Sequence, residues 1–541
     1  MTTGKTKTST GRRTGAEVLI DSLVRAGATT VFGYPGGNVV HLFDAIKSAP
    51  FRFVLGVHEQ GCVHMADGYA RATGRPGVVI VTSGPGATNA ITGLATANVD
   101  GVPLVLISGQ VPLSQIGTDA FQEADMSGIC RGATKHSFLV QHADEIPETV
   151  AAAFYIATHG KPGAVVIDLP RNVQEELTEA RYPERICLRA YHPECSATPR
   201  QVALLAKYLN AAKRPVLYAG GGVIASGAAA ELAAIAHRAD VPVVTTLMGV
   251  GAIDSDDPLA YGMAGVHGTP AAKAALEGAD FILALGVRFS DRVTDGAKPR
   301  RGVKIVHVDC DPSSIEKNVA VTLGITADIK ELLATVSSRI KPADHAAFRA
   351  QLEPLHHLPD YRPLHSDLLM PQAVIDAVAE ATGGRALVVT DVGQHQMFAA
   401  RRFPHPRPRR FLTSGGMGTM GFGIPAAIGA AIACPEEKTV AFLGDGGAQM
   451  TCEELLVAAR EKLPILFIVV NNRSLGMIRQ MQKAYFVGDY TVPDFPLLAK
   501  AMGLKSARVE KPAELASAVR KAVKSSSPYL LEVVVDSDAR V

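Results

Sequence analysis

Short runs of β-branched and aliphatic residues recur along this chain, each ending in glycine or a polar residue and each followed by an Ala-rich helical stretch. A strand written as one continuous apolar run is buried on both faces, and the sheet that offers such burial is the parallel one with helices on either side. The runs form three groups. The first holds Val31–Tyr34, Phe53–Val57, Val78–Val81, Leu104–Ile107 and Val165–Ile167. The second holds Val216–Tyr218, Val243–Val244, Phe281–Leu285 and Ile305–Val308, and the third Leu387–Val389, Val440–Leu443, Ile465–Val470 and Leu530–Val535. A Pro- and Arg-dotted connector, Thr178 to Pro199, and a strand-poor segment, Ser338 to Pro371, separate them. The expected fold is α/β, with doubly wound parallel sheets over 14–178, 199–338 and 371–535. The groups share an architecture without a sequence repeat, and 541 residues suit three or four domains.

Composition removes several function classes. Lys plus Arg number 54 against 52 Asp plus Glu, so the net charge of +2 supplies no field for holding nucleic acid, and any phosphate must be gripped locally. Seven cysteines without a C-x-x-C pair argue against a zinc site and a disulfide framework, and favour a reducing, cytoplasmic setting. Residues 1–13 have no apolar core and read as a disordered tail rather than a signal peptide. The longest apolar runs fall short of the ~18 residues that a membrane span requires.

Ligands of parallel sheets bind beyond the carboxyl ends of strands, so the residues just after each run carry the functional information. One run enters Gly444-Asp445-Gly446-Gly447 and the next enters Asn471-Asn472. Thr451 and Glu454, in capping-box spacing, mark a helix start between them, so a right-handed β-α-β unit brings Asp445 and Asn472 to one sheet edge. A carboxylate and an amide oxygen suit Mg²⁺, which completes its octahedron with phosphate and water, and the glycines let backbone N–H groups approach phosphate. Taken alone, Gly-Asp-Gly is more often simply a strand-to-helix turn, and the paired Asn-Asn at the matching strand end is what shifts the balance. In the first group Glu59 follows a run in Val57-His58-Glu59-Gln60-Gly61, where an isolated Glu is ordinarily just solvated.

Gly-Asp-Gly followed at this distance by Asn-Asn resembles the diphosphate signature of thiamine diphosphate (ThDP) enzymes. The resemblance implies Asp445, the Asn472 side chain and the Ser474 carbonyl as metal ligands, and Glu59 as the carboxylate that hydrogen-bonds N1′ of the aminopyrimidine and promotes its imino tautomer. It implies Met420 as the apolar side chain under the bent cofactor. It also implies an active site made between two subunits, hence a homodimer or dimer of dimers.

The runs Gly117–Glu123, Thr390–Met397, Thr413–Gly416 with Met420–Gly423, and Leu475–Met477 are similar to the catalytic subunit of the acetohydroxyacid synthase (acetolactate synthase) family, over about Thr14 to Val535. That resemblance places Gln122 at the cofactor, with Gln394 and His395 on its diphosphate and Gly36, Gly418, Gly446, Gly447, Leu475, Gly476 and Met477 around it. Gln110, Phe121, Lys135, Arg288, Met477 and Met481 would line or serve the substrate channel, Lys135 beside the chemistry. In the middle domain Gly220-Gly221-Gly222-Val223-Ile224-Ala225 formally fits a dinucleotide pattern. Lys161, Gly221, Gly222, Thr246, Leu247, Gly265, His267, Gly286, Arg288, Asp291, Asp309 and Asp328 match the family's FAD segments, where flavin binds without turning over. The implied reaction decarboxylates pyruvate and joins the two-carbon unit to a second 2-ketoacid, giving 2-acetolactate or 2-aceto-2-hydroxybutyrate, as in branched-chain amino acid biosynthesis.

The chain departs from the family pattern at Lys161, where Arg is usual, and at Arg171, where Lys is usual; charge is kept but hydrogen-bond geometry is not. There is no Trp, and Met481 stands where the family has a channel tryptophan. The family usually continues beyond the position of Val541 into a tail over the active site. Another ThDP carboligase or acetyltransferase, a pyruvate oxidase and a non-catalytic paralogue remain open. Glyoxylate carboligase is disfavoured because that branch lacks the Glu found here at 59. Whether a small regulatory subunit binds is not written in the sequence.

Overall fold

The structure, a computed structural model, describes residues 11–186, 188–296, 299, 300, 302–356, 361, 367–482 and 490–541. These fall into two compact units, Met1–Ala70 with Arg75–His192, and Arg71–Gly74 with Pro193–Val541. The boundary at His192 lies inside the expected connector. Residues 1–10 of the expected tail lie outside the described residues, and Arg13–Thr14 is already a short strand paired with Leu177–Thr178.

The first unit contains one six-stranded parallel sheet. Its strands, in spatial order, are Arg52–Leu55, Thr30–Gly33, Gly77–Val81, Leu104–Gln110, Ala164–Pro170 and His136–Leu139. The second unit holds two more such sheets. One runs Ala260–Met263, Val243–Thr245, Pro215–Ala219, Phe281–Leu285, Lys304–Asp309, Leu323–Thr326; the other runs Phe411–Leu412, Leu387–Thr390, Thr439–Gly444, Leu466–Asn471, Tyr529–Val534, Lys505–Val509.

Numbered within each sheet by chain order, the first and third sheets share the order 2-1-3-4-6-5, whereas the middle one is 3-2-1-4-5-6. The expected single architecture is thus two topologies. Both reverse direction beside their first strand, and that reversal opens the crevice where ligands of doubly wound sheets bind.

Central strands such as Gly77–Val81, Leu104–Gln110, Phe281–Leu285 and Leu466–Asn471 are buried along their whole length, which is why they read as continuous apolar runs. The Gly423–Ala433 helix, built of Gly, Ala, Ile and one Pro, is buried almost all round and packs on the Thr439–Gly444 strand. The Pro199–Ala211 helix opens the middle sheet's segment with a capping box, Thr198 with Gln201.

The expected capping box at Thr451 does not form. The Thr451 hydroxyl donates instead to the Gly421 carbonyl at 2.8 Å. A helical turn, Asp445–Met450, comes first, and the Leu455–Arg460 helix begins at Glu454 without a side-chain cap. The crossover is nonetheless right for the motif, since Thr439–Gly444 and Leu466–Asn471 are adjacent parallel strands. Among the described residues no helix is long and apolar enough to cross a membrane.

Candidate active site

In the third sheet the direction reverses between Leu387–Thr390 and Thr439–Gly444, and the loops after these strands carry Gln394 and Asp445. Asp445 is buried, and its Oδ1 accepts the Gly446 N–H at 2.8 Å. Its Oδ2 accepts the Ser474 N–H at 3.2 Å, and the same N–H lies 3.1 Å from Asn472 Oδ1. A carboxylate and an amide oxygen therefore converge on one backbone group, although 27 positions separate them in the chain. Burial pushes the Asp445 carboxyl up to about 6, against the backbone donors and the Tyr490 hydroxyl that pull it down. A cation would supply the missing compensation, because a buried carboxylate without one is costly. The Ser474 carbonyl accepts the Gly476 N–H at 2.9 Å and keeps a second lone pair.

Around this pair the backbone is bare. A Cβ at Gly446 would lie 2.8 Å from the Tyr490 hydroxyl, 2.9 Å from Leu475 Cδ2 and 3.0 Å from Met420 Cε. A Cβ at Gly447 would lie 2.1 Å from Asp391 Oδ1. Two buried polar atoms at this edge, His395 Nε2 and Ser474 Oγ, have no hydrogen-bond partner among the described residues. Burial holds the His395 ring near pKa 4, so it stays neutral. Such unsatisfied groups beside a glycine cradle fit a diphosphate.

The Met420 loop is fixed from below. Asp391, fully buried and pushed up to about 6 by burial, accepts N–H groups from Gly421 and Gly423 at 3.0 and 2.8 Å. Ser414 Oγ receives the Thr419 N–H at 3.0 Å. Gly418 supplies a left-handed turn at φ 66°. Met477 and Met481 lie on the short Gly476–Met481 helix, with Met481 66% exposed.

In the first unit Glu59 begins the Glu59–Thr73 helix, and its Oε2 accepts from Asn89 Nδ2 at 3.0 Å. Oε1 faces bare backbone, 3.2 Å from where a Cβ on Gly86 would stand. The same segment meets two further expected residues. A Cβ on Gly84 would touch Gln122 at 2.9 Å, and Gly36 lies so close to Thr82 that a Cβ would come within 2.4 Å of it. Gln122 itself sits at φ 63°, a left-handed conformation tolerated at a cost. Phe121, 87% exposed, lines a cleft of ≈ 640 Å³ with Asn38, Val111, Arg171 and Glu175. Lys161 is half-buried on this unit.

Two expected channel residues are turned inward. Gln110 Nε2 donates to the Ala124 carbonyl at 2.7 Å and to Asp168 Oδ2 at 3.0 Å, while its Oε1 accepts the Val111 N–H. Buried Asp168 draws that amide into the protein. The Lys135 ammonium binds the Ile156 and His159 carbonyls and the Tyr191 hydroxyl, capping the end of the Ile146–Thr158 helix as a cation suits.

In the middle sheet the reversal falls between Pro215–Ala219 and Phe281–Leu285. There, a Cβ on Gly220 would stand 2.0 Å from the Gly286 carbonyl oxygen, and one on Gly222 2.7 Å from Gly286 Cα. Gly221 packs under Met248, and Thr246 donates its N–H to the Ala219 carbonyl. The glycines thus let the two strand-to-helix turns touch through their backbones at the reversal, and Leu247, Gly265, His267, Arg288 and Asp291 follow the same or neighbouring strands. The two remaining acids are partly committed: Asp309 Oδ1 accepts the Asp311 N–H, and Asp328 is the N-cap of the Ile329–Ser337 helix.

Asn89, Tyr490 and Gln480 were not singled out from the sequence. Asn89 follows a strand in Gly84-Pro85-Gly86-Ala87-Thr88-Asn89, and the strand-end rule applied there would have found it. Tyr490 and Gln480 carry no local signal.

The comparisons agree with this geometry sheet by sheet. Three families match: Thiamine pyrophosphate enzyme, N-terminal TPP binding domain, at residues 13–129; the central domain at 202–336; and the C-terminal TPP binding domain at 391–533. The chain is 42% identical to the acetolactate synthase isozyme 3 large subunit of Escherichia coli (strain K12), across 97% of this chain and 96% of that protein. It is 41% identical to the probable acetolactate synthase large subunit of Methanocaldococcus jannaschii, across 96% and 92%. It is 42% identical to the acetolactate synthase large subunit of Corynebacterium glutamicum, across 98% and 88%. With three thiamine pyrophosphate enzyme domains in order and near-complete coverage at this identity, the chain belongs to the acetolactate synthase large-subunit family.

Proposed function

We propose that the protein catalyses ThDP- and Mg²⁺-dependent decarboxylation of pyruvate and transfer of the two-carbon unit to a second 2-ketoacid, yielding 2-acetolactate or 2-aceto-2-hydroxybutyrate. The observation that carries this reading is the convergence of Asp445 and Asn472 on the Ser474 N–H at the reversal of the third sheet. When bound, thiamine diphosphate supplies the nucleophilic carbon and the electron sink that decarboxylation needs. Asp445, Asn472 and the Ser474 carbonyl would hold the cation, while His395, Ser474 Oγ and the N–H groups after Gly444 meet the diphosphate. Glu59 would hold a proton toward the aminopyrimidine nitrogen. Asn89 fixes its Oε2 and leaves Oε1 for that task. Met420, held by Asp391 through the flanking N–H groups, would support the bent cofactor, and Gln122 would stand beside it.

FAD belongs to the proposal as a bound, non-redox group on the Gly220, Gly222 and Gly286 crevice. Arg288 would hold a ketoacid carboxylate there, as a fixed guanidinium can. The assembly proposed is a homodimer or dimer of dimers in the cytoplasm. Because relatives are named large subunits, a small subunit partner is part of it.

Product analysis tests the reading. With pyruvate alone the expected product is 2-acetolactate, and with added 2-ketobutyrate 2-aceto-2-hydroxybutyrate appears, with no oxygen uptake in either case. Oxygen uptake in step with turnover would move the protein to the oxidase branch, and cofactor binding without product would make it a non-catalytic paralogue. Asp445→Ala should abolish Mg²⁺-dependent ThDP binding in calorimetry, since it removes the anionic ligand. Unchanged affinity would put the metal elsewhere.

A further inference from the structure

Two acceptor oxygens, the Ala539 carbonyl and Gln480 Oε1, together set which way the amide of the candidate metal ligand Asn472 faces. The Ala539 carbonyl can only accept a hydrogen bond. Gln394 Nε2 lies 2.8 Å from it and 3.0 Å from Gln480 Oε1. The Gln394 amide is therefore turned with its nitrogen toward these two oxygens and its Oε1 toward Asn472, whose Nδ2 is 3.2 Å away. Asn472 must then present its NH₂ to Gln394 and its Oδ1 to the opposite side, the side of the Ser474 N–H and Asp445. A flipped Asn472 would point an N–H donor at the cation instead of an oxygen.

The surroundings are built for this pair of amides. A Cβ on Gly476 would stand 2.1 Å from Gln394 Oε1 and 2.7 Å from Asn472 Nδ2, so the contact rests on a bare Cα. The segment that supplies the carbonyl is tied down as well. Val541 N–H reaches Gln480 Oε1 at 3.4 Å, Arg479 pairs with Asp538 at 2.6 Å, and Asp536 N–H donates to the Leu369 carbonyl at 2.8 Å.

We propose that Gln394, held by the Ala539 carbonyl and by Gln480, is a positioning residue that keeps Asn472 Oδ1 facing the divalent cation, so that the segment 536–541 raises metal affinity without touching the metal. The inference rests on the reading of Asp445 and Asn472 as metal ligands. It gives Gln394 a task other than the diphosphate contact expected from the family resemblance.

The test is Mn²⁺ affinity of the full chain at saturating thiamine diphosphate, read by electron paramagnetic resonance of free Mn²⁺. Partners that orient a metal ligand typically contribute about 10- to 100-fold in affinity, which is the loss expected of Gln394→Leu. Gln480 touches neither cation nor Asn472, yet Gln480→Leu should weaken Mn²⁺ in the same direction, and Gln480→Glu, which keeps an acceptor oxygen for Gln394, should restore it. The double variant Gln394→Leu with Gln480→Leu should be no weaker than Gln394→Leu alone, because both act through one amide. Undiminished Mn²⁺ affinity in Gln480→Leu, or equal loss in the Leu and Glu variants at 480, overturns the proposal; a urea midpoint for each variant separates loss of fold from loss of the contact. Asn472→Ala run alongside separates the two failures. If it also binds Mn²⁺ normally, the metal-site reading itself falls, and if it alone loses Mn²⁺, only the positioning role does.

Discussion

Glu59 is half-buried, and among the described residues its side chain accepts from the neutral amide of Asn89. A carboxylate held by one amide keeps a free oxygen and can both take and give a proton, which a salt-bridged one does poorly. Glu59→Gln preserves the shape and the Asn89 contact but removes the charge. Cofactor and metal binding should survive while the exchange of the thiazolium C2 proton, followed by NMR, slows by about 10²- to 10⁴-fold, the usual worth of such a group. Exchange at the rate of the parent chain would remove Glu59 from the chemistry.

At the scale of elements, the middle sheet depends on two strand-to-helix turns that touch through their backbones. Gly286 has φ 60°, and a Cβ there would lie 2.4 Å from Gly222 Cα. Gly227 shares the left-handed backbone, at φ 69°, but has open space around it. Gly286→Ala should therefore lose co-purified flavin and destabilise the second unit by at least about 1–3 kcal/mol of overpacking, whereas Gly227→Ala should cost only about 1 kcal/mol and retain flavin. Equal flavin content in the two variants, read from visible absorbance, would detach the crevice from FAD. The Gly476–Met481 helix raises a matter of specificity. Met481, largely exposed, is a flexible side chain where the family resemblance implies a rigid channel tryptophan. One methylene in a pocket is worth about 1–3 kcal/mol, so the preference for 2-ketobutyrate over pyruvate as acceptor should be weak here and rise in Met481→Trp. A product ratio left unchanged in a competition assay would show that Met481 does not set it.

For the whole molecule, buried titratable groups make stability depend on pH in opposing ways. His395 and His405 are held near pKa 4 by burial, against an ordinary value of 6.5. Between these values the unfolded chain binds protons that the native ring refuses, so their contribution is complete above pH 6.5 and is lost as pH falls toward 4. Asp168 and Asp391, raised by burial to about 6 from 3.8, work in the other direction: the native carboxyls hold protons that the unfolded chain has released, so stability gains as pH falls through 6. His405→Phe keeps the packing against Phe403 and Phe411 and deletes one of the titrations. The stability difference between pH 7 and pH 4.5, from urea midpoints, should shrink by about 2 kcal/mol. An unaltered difference would mean that His405 protonates in the native state.

The sequence by itself determined the strands that are buried on both faces, because two-sided burial demands an unbroken apolar run, and it determined the turn residues after them, because bare backbone beside a phosphate demands glycine. The position of Asp445, Asn472, Glu59 and the Gly220–Gly222 turn just after strands was legible from those runs. Edge strands were legible only in part: Arg52–Leu55 overlaps the run read as Phe53–Val57, but His136–Leu139 and Lys505–Val509, partly exposed and of mixed side chains, were not read. Strand order was not legible either, since the same buried run serves 2-1-3-4-6-5 and 3-2-1-4-5-6 alike. Only the tertiary structure decided what long polar side chains do, because their partners come from distant segments. It turned Gln110 toward Asp168, spent Lys135 on a helix end, drew the Thr451 hydroxyl to Gly421, and set Gln394 between Asn472 and the Ala539 carbonyl. A buried amide, hydroxyl or ammonium takes whichever partner the fold brings within about 3 Å, and chain spacing holds no record of that choice.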